Sequence, residues 1–136
     1  MKKIFQSFLL FSISALIISC EKDEGKLPNL GFKTGGSYIS TDVTQAPGSS
    51  ITIGITASKA ESADVLKKFN ISKSVNGASS SSVFDKDLSG TEGDAYNYDF
   101  VTTVDTTNGQ KSKYTFTVTN RDGITNQLSV TVTTQK

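Results

Sequence analysis

The stretch Lys113-Tyr114-Thr115-Phe116-Thr117-Val118-Thr119-Asn120, continued by Arg121-Asp122-Gly123 and then by Ile124 through Thr134, decides the fold class. Tyr114, Phe116 and Val118 alternate with polar residues, and Leu128, Val130 and Val132 do the same, which is the period of a half-buried β-strand. Two such runs in succession make a hairpin, and parity fixes its loop. A two-residue turn at Asp122-Gly123 would oppose Val118 to Gln127 and set the threonines of one strand against the core residues of the other. A three-residue loop, Arg121-Asp122-Gly123, with Gly123 left-handed in a G1 bulge, pairs Phe116 with Leu128 and Tyr114 with Val130.

Upstream, the same alternation recurs between turn signals. Tyr38 to Val43 is a predicted first strand, ended by Pro47-Gly48. Ser50 to Ala57 places Ile51, Ile53, Ile55 and Ala57 on one face. Residues 58–66 read as a connection, too short for a stable helix. Lys68 to Val75 is a third strand ended by Asn76-Gly77, and Ser80 to Phe84 a fourth. Tyr96, Tyr98, Phe100 and Thr102 share parity in a fifth. With Lys113 to Asn120 and Ile124 to Thr134, about seven short strands predict an antiparallel β-sandwich over residues 35–136.

A chain of 136 residues holds one domain. Its formal charge of +1 includes Lys2 and Lys3; without the first nineteen residues the 14 basic residues become 12 against 13 acidic ones, a net of −1. That balance offers nothing to nucleic acid.

The amino terminus carries Lys2-Lys3, a mostly apolar run from Ile4 to Ile18, and then Ser19-Cys20. This is secretory signal architecture. A membrane span needs about 20 apolar residues, whereas this run is shorter and is interrupted by Gln6 and several serines. Ile17-Ile18-Ser19-Cys20 resembles a bacterial lipobox, which implies cleavage after residue 19 and lipidation of Cys20, the only cysteine. The implied partner is a membrane, held through acyl chains that contribute about 0.8 kcal/mol per buried CH₂. Residues 20–34 then read as a lipidated cysteine and a tether. Within it, Lys22-Asp23-Glu24 resembles the acidic export signal of Bacteroidetes-type surface lipoproteins and implies an outer-membrane, cell-surface location; a solvated spacer is the plain alternative.

The strand Tyr114 to Asn120 followed by Gly123 is similar to the penultimate strand of fibronectin type III and bacterial immunoglobulin-like domains, in which the tyrosine packs at a strand corner. The resemblance implies an immunoglobulin-like sandwich. Without Trp or a cysteine pair, an antibody-type domain is excluded.

For catalysis the sequence offers little. There is no histidine, hence neither the usual general base nor the commonest metal ligand, and no spacing singles out a nucleophile with its base. Ser79 to Ser82 reads as a solvated edge or loop. We expect a protein that is not an enzyme.

The most site-like stretch runs from Asp85 to Asp94. Asp85, Asp87, Ser89, Glu92 and Asp94 supply hard oxygen atoms of the kind calcium takes, but position twelve, where a calcium loop needs a bidentate Glu, is Tyr96. It reads first as a solvated acidic loop and second as a calcium site. Tyr96 and Tyr98 read first as core residues and second as a stacking platform for a glycan. Asp105-Thr106-Thr107 resembles the short O-glycan acceptor sequence of Bacteroidetes-type secreted proteins, with Thr106 as the acceptor. The expected function is a surface lipoprotein binding an extracellular glycan or protein; a structural subunit of an outer-membrane uptake or secretion complex comes next, and an enzyme or enzyme inhibitor last.

Overall fold

A computed structural model describes residues 24–136 as an all-β sandwich of eight strands. Three strands form one sheet, in the order β1 (Asn29–Phe32), β3 (Ser50–Ser58), β6 (Ala95–Thr103). Five form the other: β2 (Val43–Gln45), β8 (Thr125–Thr134), β7 (Lys111–Asn120), β4 (Leu66–Val75), β5 (Ser81–Asp87). All pairings are antiparallel except β2 with β8, which is parallel. Leaving aside the three-residue β2, the first, second and fifth strands share one sheet, and the third, fourth, sixth and seventh the other. This is the immunoglobulin-like arrangement.

Period-two sequence builds the core directly. Ile51, Ile53, Ile55 and Ala57 of β3 and Tyr96 of β6 face Phe69 and Ile71 of β4, Tyr114, Phe116 and Val118 of β7, and Val130 and Val132 of β8; all are buried. Phe69 lies at the centre, its ring 5.3 Å from that of Tyr96, 5.9 Å from Tyr98 and 6.0 Å from Phe84. Each aliphatic or Phe side chain removed from water in this way stabilises the fold by about 1.5–3 kcal/mol.

The final hairpin has the register that parity requires, with Phe116 opposite Leu128 and Tyr114 opposite Val130, and Gly123 at φ 80°. Asn120, buried at the start of the loop, holds it closed. Its Oδ1 accepts hydrogen bonds from the backbone N–H of Asp122 (3.0 Å) and of Ile124 (2.9 Å), and its Nδ2 donates to the carbonyl of Lys26 at 3.0 Å.

Three expectations need correction. The number of strands is eight rather than about seven, because β1 and β2 were not read. Tyr38 to Val43 is not a strand: Tyr38 makes a single parallel bridge to Thr52, and the ladder begins only at Val43. There Tyr38 lies across Gly54, where an added Cβ would come within 2.7 Å of its ring. Finally, Asn29–Phe32, placed by the sequence in the tether, is a strand that pairs antiparallel with β3, from Asn29↔Ser58 to Phe32↔Ile55.

Candidate functional site

The acidic stretch does not form one loop. β5 continues through Asp87, so Asp85 and Asp87 stand on an outward strand face, Leu88 is buried, and Thr91–Asp94 make a single helical turn, α1. Lysines interleaved in the fold take the carboxylates one by one. Lys68 pairs with Asp85 at 2.9 Å, Lys86 with Glu92 at 2.6 Å and Lys59 with Asp94 at 2.5 Å. Lys68 and then Asn70, as donors, hold the Asp85 carboxyl below the usual carboxylate range. Asp87 and Ser89 are exposed. Among the described residues no three acidic side chains converge on a point that could hold a metal ion, so the arrangement expected of a calcium loop is not built here.

The tyrosine pair is likewise not an open platform. Tyr96 is 6% exposed and packs on Phe69, with the Lys86 ammonium 5.3 Å from its ring centroid on the other side. Tyr98 is half-buried and stacks on Phe84 at 4.5 Å. β5 and β6 are edge strands of different sheets, and this aromatic pair closes the open side of the sandwich between them.

Thr106 is exposed in the turn between β6 and β7. Its neighbour Asp105 is bound on both sides: Lys73 donates to both carboxylate oxygens (2.8 and 3.1 Å), and the buried Ser112 hydroxyl donates at 2.5 Å. Burial pushes the Asp105 carboxyl up, but the donors outweigh it and hold it below its ordinary value. Burial pulls the Lys73 ammonium down, and the hydrogen bond to Asp105 together with the neighbouring Tyr114 more than offsets this, so Lys73 stays protonated more firmly than a free lysine. A Ser–Lys nucleophile needs a neutral lysine facing the hydroxyl; here the hydroxyl donates its hydrogen bond to a carboxylate, so the triad works as a clamp between β4, β7 and the turn.

Cys20, Lys22 and Asp23 lie outside the described residues; Glu24 is exposed. No helix among the described residues is long and apolar enough to cross a membrane.

One cavity was not legible in the sequence. On the outer face of the three-stranded sheet, at the end where the described chain begins, a hollow of about 570 Å³ is lined by Asn29, Gly31, Thr56, Ser58, Asn97 and Asn126, with Leu27 at its rim. Outward positions of β1, β3 and β6 are filled by small side chains, which leaves the sheet open there. The Asn126 amide donates to the carbonyl of Pro28 at 2.8 Å and the Asn29 amide to Ser58 Oγ at 3.2 Å, so the walls are fixed. Among the described residues, the Asn97 side chain has no hydrogen-bond partner. The volume is in the range of small-ligand sites, and amides and hydroxyls on rigid strands suit a ligand rich in donors and acceptors. No single residue signals this site, because it is made of what the outward positions lack.

Compared with protein-family models and with curated proteins, the sequence finds no match. Among solved structures it is similar to Spo0M, a sporulation control protein from Bacillus subtilis, with a TM-score of 0.48 and 9% identity over 80% of this chain. The chain spans 49% of that protein's chain, about half its length.

Proposed function

We propose that this chain is a lipoprotein of a bacterial outer membrane, anchored through lipid on Cys20 and exposed at the cell surface by Lys22-Asp23-Glu24, whose non-catalytic domain captures an extracellular glycan. The observation that carries the binding reading is the hollow on the outer face of β1, β3 and β6, where the amides and hydroxyls of Asn29, Thr56, Ser58, Asn97 and Asn126 stand among apolar side chains such as Leu27, Pro28 and Ala95, a mixed lining that suits the hydroxyls and C–H faces of a sugar. The lipobox and the acidic run carry the location.

A structural subunit is the second reading. It is favoured by the scarcity of exposed large hydrophobics, which among the described residues are Leu27, Val83 and Val101. Among the described residues no aromatic side chain is exposed to stack on a sugar.

The test combines both halves. Cells expressing the full chain, Cys20→Ala and Thr56→Arg are labelled with a fatty-acid analogue, and the purified proteins are applied to an array of bacterial and host polysaccharides. We expect Cys20→Ala to lose the label, and Thr56→Arg, which fills the hollow, to lose at least tenfold in glycan retention without a change in melting temperature. Retention equal in wild type and Thr56→Arg would remove the hollow as the site, and no retention by either would leave the structural subunit as the better reading.

A further inference from the structure

A buried carboxylate, distinct from those of β5 and α1, lies at the pole of the sandwich where the described chain begins. Asp64, in the connection between β3 and β4, is 1% exposed. Its Oδ2 accepts a hydrogen bond from the backbone N–H of Lys26 at 2.8 Å. Its Oδ1 is buried and has no hydrogen-bond partner. A buried carboxylate oxygen left without a donor is costly, and buried charges are as a rule paired or bound to a metal.

A second carboxylate faces the same place from another element. Asp122 lies in the loop between β7 and β8, and the two side chains meet over Gly25: a Cβ on that glycine would stand 2.5 Å from Asp122 Oδ2 and 3.1 Å from Asp64 Oδ1. The absence of a side chain at position 25 is what lets both oxygens approach. Arg121 Nε is 3.5 Å from Asp122 Oδ2, and Lys26 Nζ pairs with Glu61. Neither is bonded to Asp64 Oδ1.

We propose that Asp64 and Asp122 bind a calcium ion. Two carboxylates supply up to four of the six to eight oxygens that calcium takes, water supplies others, and calcium tolerates the irregular geometry of a site between two connections where magnesium does not. The ion joins the β3–β4 connection to the β7–β8 loop beneath the incoming chain. A site with two protein carboxylates belongs to the weak class of extracellular sites, with dissociation constants around 10⁻⁴ to 10⁻³ M.

The test is a calcium titration of the full chain in detergent to 5 mM, followed by thermal unfolding and by equilibrium dialysis with radioactive calcium, against magnesium at equal concentration. Calcium should raise the melting temperature by about 5 °C or more and magnesium far less, with one ion bound per chain. Asp122→Asn, at a partly exposed position where folding is retained, should lose at least tenfold in calcium affinity, as should Asp64→Asn. Asp85→Asn and Asp87→Asn should keep it. Binding unaffected by Asp122→Asn, a shift reproduced by magnesium, or no calcium bound at 5 mM would each overturn the proposal.

Discussion

At the scale of single residues, position and partner decide what a polar group does. Asp105 and Asp64 are both carboxylates drawn under loops, but Asp105 has three short donor contacts and Asp64 Oδ1 has none. The first therefore stabilises by pairing and the second asks for a ligand. The sign of the Asp105 effect follows from its lowered folded-state value: its contribution is fully present above the ordinary carboxylate value near 4, and is lost as pH falls through the folded value. For Lys73, raised in the fold, the contribution is present below about 10.5 and is lost only as pH rises above it. Asp105→Asn should thus lower stability at pH 7 by about 1 kcal/mol, the scale of a partly screened pair, and flatten the decline of melting temperature between pH 5 and 2.5. An acid profile parallel to that of the unaltered chain would show that Asp105 contributes no linkage.

At the scale of elements, the β7–β8 hairpin gives the sharpest comparison of sequence with structure. Its register was deducible because a one-residue slip turns every core side chain to solvent, and Tyr114, Phe116, Leu128 and Val130 leave one consistent answer. The same reasoning read β3, β4 and β6. It missed β1 and β2 because Asn29–Phe32 and Val43–Gln45 are edge segments of four and three residues, too short to display a period, and their partners lie far along the chain. It assigned Asp85 and Asp87 to a loop because a strand with one face in water tolerates charge, so polarity alone hides the end of β5. Gly123 tests the hairpin deduction. An added Cβ there meets nothing within 4 Å, while φ is 80°, so Gly123→Ala should cost only the left-handed conformation, about 1–2 kcal/mol, and Gly123→Asn clearly less. Urea unfolding that finds Asn as costly as Ala would mean the loop is not held left-handed at that residue.

At the scale of the whole molecule, the question is where the anchor ends and the domain begins, because this sets how far the domain stands from the membrane on the proposed lipidation of Cys20. Read from the sequence, residues 20–34 are spacer. In the fold, Pro28 is buried, Leu30 and Phe32 pack against the core, and the Phe32 ring meets that of Phe116 edge-on at 5.8 Å. Asn120 and Asn126 donate to the carbonyls of Lys26 and Pro28, tying this segment to the β7–β8 hairpin nearly a hundred residues away. β1 also covers the free edge of β3, the most apolar strand, whose exposure would invite pairing between chains. The chain is held by the domain from Gly25 and Lys26 onward, so on the proposed lipidation at most residues 20–24 serve as spacer, with a reach of about 17 Å at 3.3–3.6 Å per residue, and that lipidation puts the pole bearing Asp64 and Asp122 near the lipid surface. A chain of residues 24–136 should unfold in urea as the longer protein does. One of residues 34–136 loses two apolar side chains, the β1 ladder and the partners of the buried Asn120 and half-buried Asn126 amides, for at least about 4 kcal/mol, a large share of a typical net stability of about 5–15 kcal/mol, and should aggregate on purification. Equal midpoints for the two forms would show that β1 is dispensable and that the domain begins after it.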